Sequence, residues 1–517
     1  MLNDDSLLQI FIHYRLESED NWTLQLGWRM LAHVCQRWRC LVFNFWFNLD
    51  VCLLLTTHSP SIDTLSHLPP LPLFIEFSTD KLEHWGTDMF QKENDKIRFG
   101  LQQHDRVLQV DLRAPSSGMR MCLEPMNKPF PRLGDLSLFS TTTDETSLVL
   151  PETFQAPNLR RLSLHGIGLP KGLSLLSSTN ALSTLSFTHI RESVYFSPVD
   201  LVTRLHCLPH LEELSIGFAT PMPLPSSEGG FLPAPIPPVT LPALRRLTFR
   251  GVDVYLDSLV ERINAPFLER VGFTLLFDLD FTFVNLTKFI HMTKGLGYLV
   301  ARVKFNKDGA SIKTGYREQW DIGEFSLQFN VNCKRLDWQM DSATQVSSAL
   351  GNVLSAVEEL TLDLNEDWLP SDWNKTLDNA MWHELLLPFT GVKKLHVGSS
   401  LTLELSKALE SVAGGLVLEL LPELQELEVQ LEIDYAKNAF SGFVETRESV
   451  GRPVHLLAPP IPRADPEMYR IDSKLFLEDM KNIGRQYRYR AMNLISICQT
   501  FVKAQEPTFH SYDELRR

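Results

Sequence analysis

The chain has no cysteine framework, no long apolar run and no surplus of positive charge, and each absence removes a class of protein. Its seven cysteines, Cys35, Cys40, Cys52, Cys122, Cys207, Cys333 and Cys498, are odd in number and thinly spread over 517 residues. Small secreted domains stapled by disulfides carry dense, even sets instead. Cys207 and His210 come nearest to a metal-ligand pair, but no second pair stands at zinc spacing. No metal or other cofactor is therefore expected, and the thiols read as buried and free, as in a cytoplasmic or nuclear protein. The most apolar stretch, 41–57, is broken by Asn44, Asn48 and Asp50. It falls short of the ~20 uninterrupted residues of a bilayer span, so no membrane is expected as partner. Met1 runs straight into Leu2, Asn3, Asp4 and Asp5 without the basic start of a secretory leader, and none is expected. A net charge of −14 repels phosphate backbones, so nucleic acid is not expected either.

Catalytic patterns are missing too, and no enzyme is expected. Gly166, Gly168 and Gly172 do not keep dinucleotide-loop spacing, and there is no phosphate-cradling loop, His-Glu-x-x-His or Gly-x-Ser-x-Gly. Asp363, Asn365 and Asp367 start like a calcium loop, but Trp368 stands where glycine is needed and Asn374 where the bidentate glutamate belongs. The acid pairs Glu212-Glu213 and Glu358-Glu359 read as solvent-facing strand residues. A catalytic set dispersed along the chain remains the weakest alternative.

What is present is a repeat. With 44% hydrophobic and 22% charged residues the chain is globular, and the pattern L-x-x-L-x-L recurs through it. Leu159-Arg-Arg-Leu-Ser-Leu164 is nearly copied by Leu244-Arg-Arg-Leu-Thr-Phe249, with variants at Leu211–Ile216, Val357–Leu362 and Leu424–Val429. The central apolar markers Val110, Leu136, Leu162, Leu185, Leu214, Leu247 and Val271 are separated by 26, 26, 23, 29, 33 and 24 residues. Those steps match the roughly 20–29 residues of a leucine-rich repeat. Markers resume at Leu360, Leu395 and Leu427, and the gap has room for two diverged repeats, around Val303 and Leu336.

The spacing has a physical reason. Apolar residues two apart on a strand point to one face, while those between them point to the other. One such unit cannot bury its apolar face alone, but a stack can. An ordinary α/β protein with leucine-rich strands is the competing reading; the near-identical hexapeptides and the short step count against it. The stretch 219–242 holds eight prolines and reads as an insertion loop, and Pro235-x-x-Pro238 is a weak docking motif within it. Ser473 to Gln505 has helical spacing and basic Arg485, Arg488 and Arg490, and reads as a terminal cap or docking helix.

Two helical patterns precede the repeats. Asn3 or Asp4 can cap a helix carrying Leu7, Ile10, Phe11 and Tyr14; a second pattern carries Leu31, Val34, Cys35, Trp38, Leu41 and Val42. A polar link with Trp22 and Trp28 joins them. Together Leu2-Asn-Asp-Asp-Ser-Leu-Leu-Gln-Ile-Phe11 and Leu31-Ala-His-Val-Cys-Gln-Arg-Trp-Arg-Cys-Leu-Val42 resemble an F-box, with Val34-Cys35-x-x-Trp38 the most specific part. Asn3 stands where that family usually has proline, and the link is longer. The whole chain is similar to fungal F-box-like proteins with leucine-rich repeats. The likeness continues at Ile62-Asp-Thr-Leu65, Leu71-Pro-Leu-Phe-Ile75 and Phe440-x-x-Phe443-Val-x-x-Arg447-x-x-x-Gly451-Arg-Pro-Val454.

The expected fold is α/β: a small all-α F-box-like module at 1–50, then an irregular leucine-rich-repeat solenoid, or horseshoe, at 51–458, then a helical extension or cap at 459–517. The resemblance implies docking on a Skp-type adaptor through Leu2, Leu7, Leu8, Ile10, Val34, Cys35, Trp38 and Leu41. Through that adaptor it implies a cullin–RING ubiquitin ligase whose protein substrate the repeats hold. Strand alternation puts Arg161, Ser163, Glu213, Arg246, Thr248, Arg250, Glu359, Thr361, Asp363, Lys394 and His396 on the open face, the expected substrate surface. A protein-interaction scaffold without a ligase role is the alternative.

Overall fold

Apolar side chains alternating with polar ones form strands with one buried face, and the markers fix how those strands stack. The computed structural model describes residues 2–16, 28, 30–49, 51–56, 70–79, 87–142, 148–170, 174–179, 181–221, 238–276, 283–317, 325–364, 379–410, 420–430 and 433–457. Two compact units divide the chain, one taking in Met1–Thr146 and Leu150–Pro157, the other Ser147–Val149 and Asn158–Ile461. The predicted helix at 473–505, the Ile62 motif, residues 222–237 of the proline-rich insertion, and Asn365 and Asp367 lie outside the described residues.

The first unit begins with helix α1 (Asp4–Leu16), a helical stretch at 30–34 and helix α2 (Gln36–Asn44). Four parallel strands follow: β1 (Leu53–Leu55), β2 (Leu73–Ser78), β3 (Val107–Ala114) and β4 (Asp135–Ser140). Ile75 faces Val110 and Val110 faces Leu136, so the markers lie in one lateral row. Helices α3 (Thr87–Gln102) and α4 (Ser116–Leu123) pack on each other; α3 covers β2 and α4 covers β3.

In the second unit β5 (Leu148–Val149) pairs with β7 (Ile167–Gly168). The main strands are β6 (Arg161–His165), β8 (Thr184–Ile190), β9 (Glu213–Phe218), β11 (Arg246–Gly251) and β13 (Arg270–Leu276). Leu162, Leu185, Leu214, Leu247 and Val271 face one another in sequence along this parallel array. All five are buried. Between β9 and β11 the proline-rich insertion ends earlier than expected, because Val239–Thr240 forms strand β10 against β12 (Ile263–Asn264). Val239 and Leu241 are both buried, so that end belongs to the repeat body.

The gap between Val271 and Leu360 does not hold two further repeats. It holds β14 (Val300–Asn306), β15 (Gly309–Gly315) and β16 (Leu327–Asn332), which enter the sheet in reverse order: β16 lies beside β13, and β14 beside β17 (Glu359–Leu364). Val303 is on a strand as expected. Leu336 instead begins a helix, because its segment must cross the three strands to reach β17. Only two residues, Lys307 and Asp308, join β14 to β15; that connection is too short for a parallel crossover and makes an antiparallel hairpin. Gly309 opens β15 at φ 155, and a Cβ there would collide with the Val331 carbonyl. The parallel array resumes with β17, β18 (Lys394–Val397), β19 (Glu426–Val429) and β20 (His455–Leu457).

Helices α5 (Ser174–Ser178), α6 (Pro198–Leu205), α7 (Asp253–Val260), α8 (Val284–Met292), α9 (Leu336–Ala349), α10 (Gly351–Leu354), α11 (Asn379–Leu386), α12 (Thr402–Glu410) and α13 (Ile433–Ser449) connect these strands. Ser197 caps α6 with a full capping box to Asp200. Helix α9 packs across β16, β15 and β14, with small Ser342, Ala343 and Ser347 buried on it. The signature ending in Val454 has a structural reading. Phe440, Phe443 and Arg447 on α13 are buried. Gly451 then ends the helix at φ 77, its N–H donating to Glu448 O (2.9 Å) while Arg452 N–H donates to Arg447 O (2.9 Å). This paired closure needs the left-handed conformation glycine adopts without penalty.

Candidate interaction surfaces

The N-terminal segment starts with Asn3, whose side chain accepts the Ser6 N–H (2.8 Å) and so caps α1. Asn3 thus starts the helix through its own side chain. The second helical pattern is not continuous. Cys35 is extended (φ −160, ψ 169) and separates residues 30–34 from α2. The Ala32 carbonyl, left over at that break, accepts Arg39 Nε (3.0 Å), which keeps the corner closed.

Two contacts bind α1 to α2. Phe11 meets Trp38 edge-on with ring centroids 4.8 Å apart, and Arg37 donates to Asp4 through Nε (2.9 Å) and Nη2 (2.6 Å) and to the Leu2 carbonyl (2.7 Å). Leu7 and Leu41 are buried in this packing, and Leu8 and Trp38 are half-buried. Leu2 (54% exposed), Ile10 (47%) and Val34 (58%) project outward, as does Cys35. The Arg37 bridge brings Leu2 within one arginine's length of the Val34-Cys35 corner. Tyr14, part of the first helical pattern, and Met30 are also exposed, and neither was among the expected adaptor-facing positions.

In the second unit every residue expected on the open sheet face occupies an outward strand position. Register sorts them into lateral rows. The central row runs Ser163, Ser186, Ser215, Thr248, Gly272, Gln328, Lys313, Arg302, Thr361, His396 and Glu428. One row below lie Arg161, Glu213, Arg246 and Arg270, then Glu359, Lys394 and Glu426. The row above carries His165, Thr188, Gly217, Arg250, Thr274, Asn330, Ser311, Lys304 and Asp363. Arg270, Arg302, Lys304 and Lys313 escaped the sequence reading. The short link at Lys307-Asp308 was the signal that could have placed the last three.

Charge on this face is not mixed evenly. From β6 through β14 the outward positions hold Arg161, Arg246, Arg250, Arg270, Arg302, Lys304 and Lys313 against Glu213, which pairs with Arg246. From β17 to β19 they hold Glu359, Asp363, Glu426 and Glu428 against Lys394. Lys304 to Asp363 (3.5 Å) marks the changeover, and Lys394 reaches Glu428 (3.2 Å). Burial, then Arg302 and Lys304, hold the Lys313 ammonium below its usual value. His189 stacks on His165 (5.1 Å); burial, then Arg191 and Arg250, hold it low. Burial also lowers His396, although Glu428 lies 3.2 Å away and opposes the shift.

On the helix side a groove of about 660 Å³ lies where α8 meets α9 and α10. Its titratable lining is Lys288 and His291 with no acid, so it offers no acid–base pair. Burial pushes the Cys122 thiol up to about 12 and Cys333 to about 11, far from nucleophilic thiolates. The expectation of buried thiols fails at Cys35 and Cys40, which are exposed on the N-terminal helical segment. Among the described residues no group of His, Cys, Asp and Glu has the geometry of a metal site, and no helix is long and apolar enough to cross a membrane.

Register and alternation together define a mixed α/β protein with a long, mostly parallel sheet backed by helices, in keeping with a leucine-rich-repeat array. No protein-family model matches the chain, and no curated protein does. Among solved structures it is similar to the leucine-rich repeat-containing protein LegL7 from Legionella pneumophila, at 10% identity over 76% of this chain and 97% of that one, with a TM-score of 0.26. At that score the likeness carries no argument, and the repeat architecture stands on strand register.

Proposed function

We propose that the chain is a non-catalytic recognition subunit. Its N-terminal helices dock a Skp-type adaptor, the adaptor joins it to a cullin–RING ubiquitin ligase, and the open sheet face holds a protein substrate in the cytoplasm or nucleus. The observation that carries this reading is the exposure of Leu2, Ile10 and Val34 on helices already fastened by Phe11–Trp38 and Arg37–Asp4. Apolar side chains held outward on a braced pair of helices favour burial by a second protein. The coarser reading, a repeat scaffold for protein interactions, needs only the sheet.

Co-expression with a Skp-type adaptor tests it. A stable complex is expected from the parent chain and from Arg250→Ala, and its loss from Val34→Asp. Position 34 is exposed, so that change leaves stability within about 0.5 kcal/mol. No complex from the well-folded parent would remove the adaptor reading. An adaptor complex that fails to capture cullin would leave the scaffold.

A further inference from the structure

We propose that the groove between α8 and α9 seats one further helix, an amphipathic helix of a partner protein that is acidic along one flank. The layer of helices behind the sheet explains why the groove exists. Helix α6 packs on α7, α7 on α8, α9 on α11, α11 on α12 and α12 on α13. Between α8 and α9 that succession breaks. The hairpin β14–β15 adds two strands to the sheet, and Lys307 and Asp308, the whole of its connection, leave no length for a helix. Two strands at ~4.8 Å each widen the sheet by roughly 10 Å, about the distance between the axes of packed helices.

Each wall of the groove is fastened to its own side. Asp257 of α7 accepts the N–H groups of Asn285 (2.8 Å) and Leu286 (2.9 Å) and ties the first turn of α8 to α7. Gln339 of α9 donates to the carbonyls of Asn306 and Cys333 (2.9 Å each) and holds that helix on the hairpin. The α8 wall presents Val284, Thr287, Lys288, His291 and Met292. These stand at i, i+3, i+4, i+7 and i+8, one continuous stripe about 12 Å long at ~1.5 Å per residue. Val284 is 64% exposed and Met292 77%, large apolar side chains left open beside buried Phe283. A thioether side chain adapts readily to an incoming apolar face.

Charge selects the occupant. Lys288 and His291 line the groove from the α8 wall, and no carboxylate lines it. The opposite wall offers the amides of Gln345 and Asn352, and Asp341, one turn before Gln345, accepts the Gln345 amide (3.0 Å). A helix that lays apolar side chains over Val284 and Met292 therefore meets basic groups on one flank and neutral amides on the other. Its acidic residues belong on the first flank. The groove lies behind the sheet face proposed to hold substrate, so this docking does not depend on that reading.

The test uses the full chain and two labelled synthetic helical peptides with the same leucine face, one flanked by glutamate and one by lysine. Fluorescence anisotropy should show the parent binding the glutamate peptide about tenfold more tightly than the lysine peptide. Lys288→Glu with His291→Glu should reverse that preference, which loss of structure would not do. Met292→Asp should weaken both peptides about tenfold while leaving the melting temperature at the parent's value, because position 292 is exposed. Lys437→Glu, on α13, should bind as the parent does. Absence of binding by either peptide overturns the proposal, as do equal binding of the two and binding untouched by Met292→Asp. Self-association of the parent in sedimentation equilibrium, abolished by Met292→Asp, would seat a second copy in the groove and overturn it as well.

Discussion

Arg447 is 1% exposed, and its Nη2 donates to the carbonyls of Leu424 (3.0 Å) and Pro422 (3.3 Å) just before β19. Its Nε and Nη1 have no hydrogen-bond partner among the described residues, and burial, then Arg452, hold the guanidinium below its usual value. Two effects oppose each other. A cation taken out of water costs several kcal/mol, while each hydrogen bond it gives a carbonyl returns roughly 1.5–3 kcal/mol. Arg447→Ala loses both bonds, strands the Leu424 carbonyl while Pro422 keeps its bond from Arg452 Nη1 (3.3 Å), and opens a cavity, so it should destabilise by about 2–4 kcal/mol. Arg447→Met refills much of the volume and removes the desolvated charge but still strands the Leu424 carbonyl, and should cost about 1–2 kcal/mol. Denaturant midpoints give the order, and hydrogen exchange at Glu426–Val429 and His455–Leu457 locates the effect. An Arg447→Met protein as stable as the parent would refute the reasoning, since the Leu424 carbonyl would then not depend on the guanidinium.

Phe249 is fully buried on β11 and stacks on Tyr255 of α7 (5.7 Å); Phe249→Ala should cost about 3–5 kcal/mol by chemical denaturation. Gly309→Ala forces a side chain into the Val331 carbonyl at a φ that favours glycine, and should lose about 3 kcal/mol, with protection from exchange falling first in β15. His189 sits below its ordinary value of 6.5, so the unfolded chain takes up a proton that the folded chain does not as pH falls through that value. The stability it confers is present above 6.5 and declines below it until the folded value is passed. His189→Asn tolerates the left-handed backbone (φ 54) and should flatten melting temperature against pH across that window. A pH dependence unchanged in that variant would place the effect elsewhere.

The inward rows were open to reading because buried strand faces impose a period of two. Every marker from Leu162 to Val271 found its expected neighbour. The hairpin was not, since alternation in Val300–Asn306 is the same whichever way a strand runs. Direction is set by connection length, and the two residues after Asn306 held it. Leu336 misled because an apolar residue between polar ones suits the first turn of an amphipathic helix as well as a strand. At the N-terminus, spacing alone placed Val34 and Leu41 on one stripe. The extended backbone at Cys35 separates them, leaving Val34 outward and Leu41 inward. The cationic stretch was half visible, because Arg302 and Lys313 gain meaning only once the hairpin sets them opposite each other.

The hairpin β14–β15 has one more consequence. Two antiparallel pairings in succession cancel, so β13, β16, β14 and β17 all point the same way. Leu327 on β16 and Leu360 on β17 lie in one lateral row, separated only by Thr314 and Ala301. β16 and β17 thus keep matched polarity and register across the pair. The hairpin is therefore a two-strand insertion that leaves the direction and register of the parallel array intact, and it supplies Arg302, Lys304 and Lys313 to the exposed side.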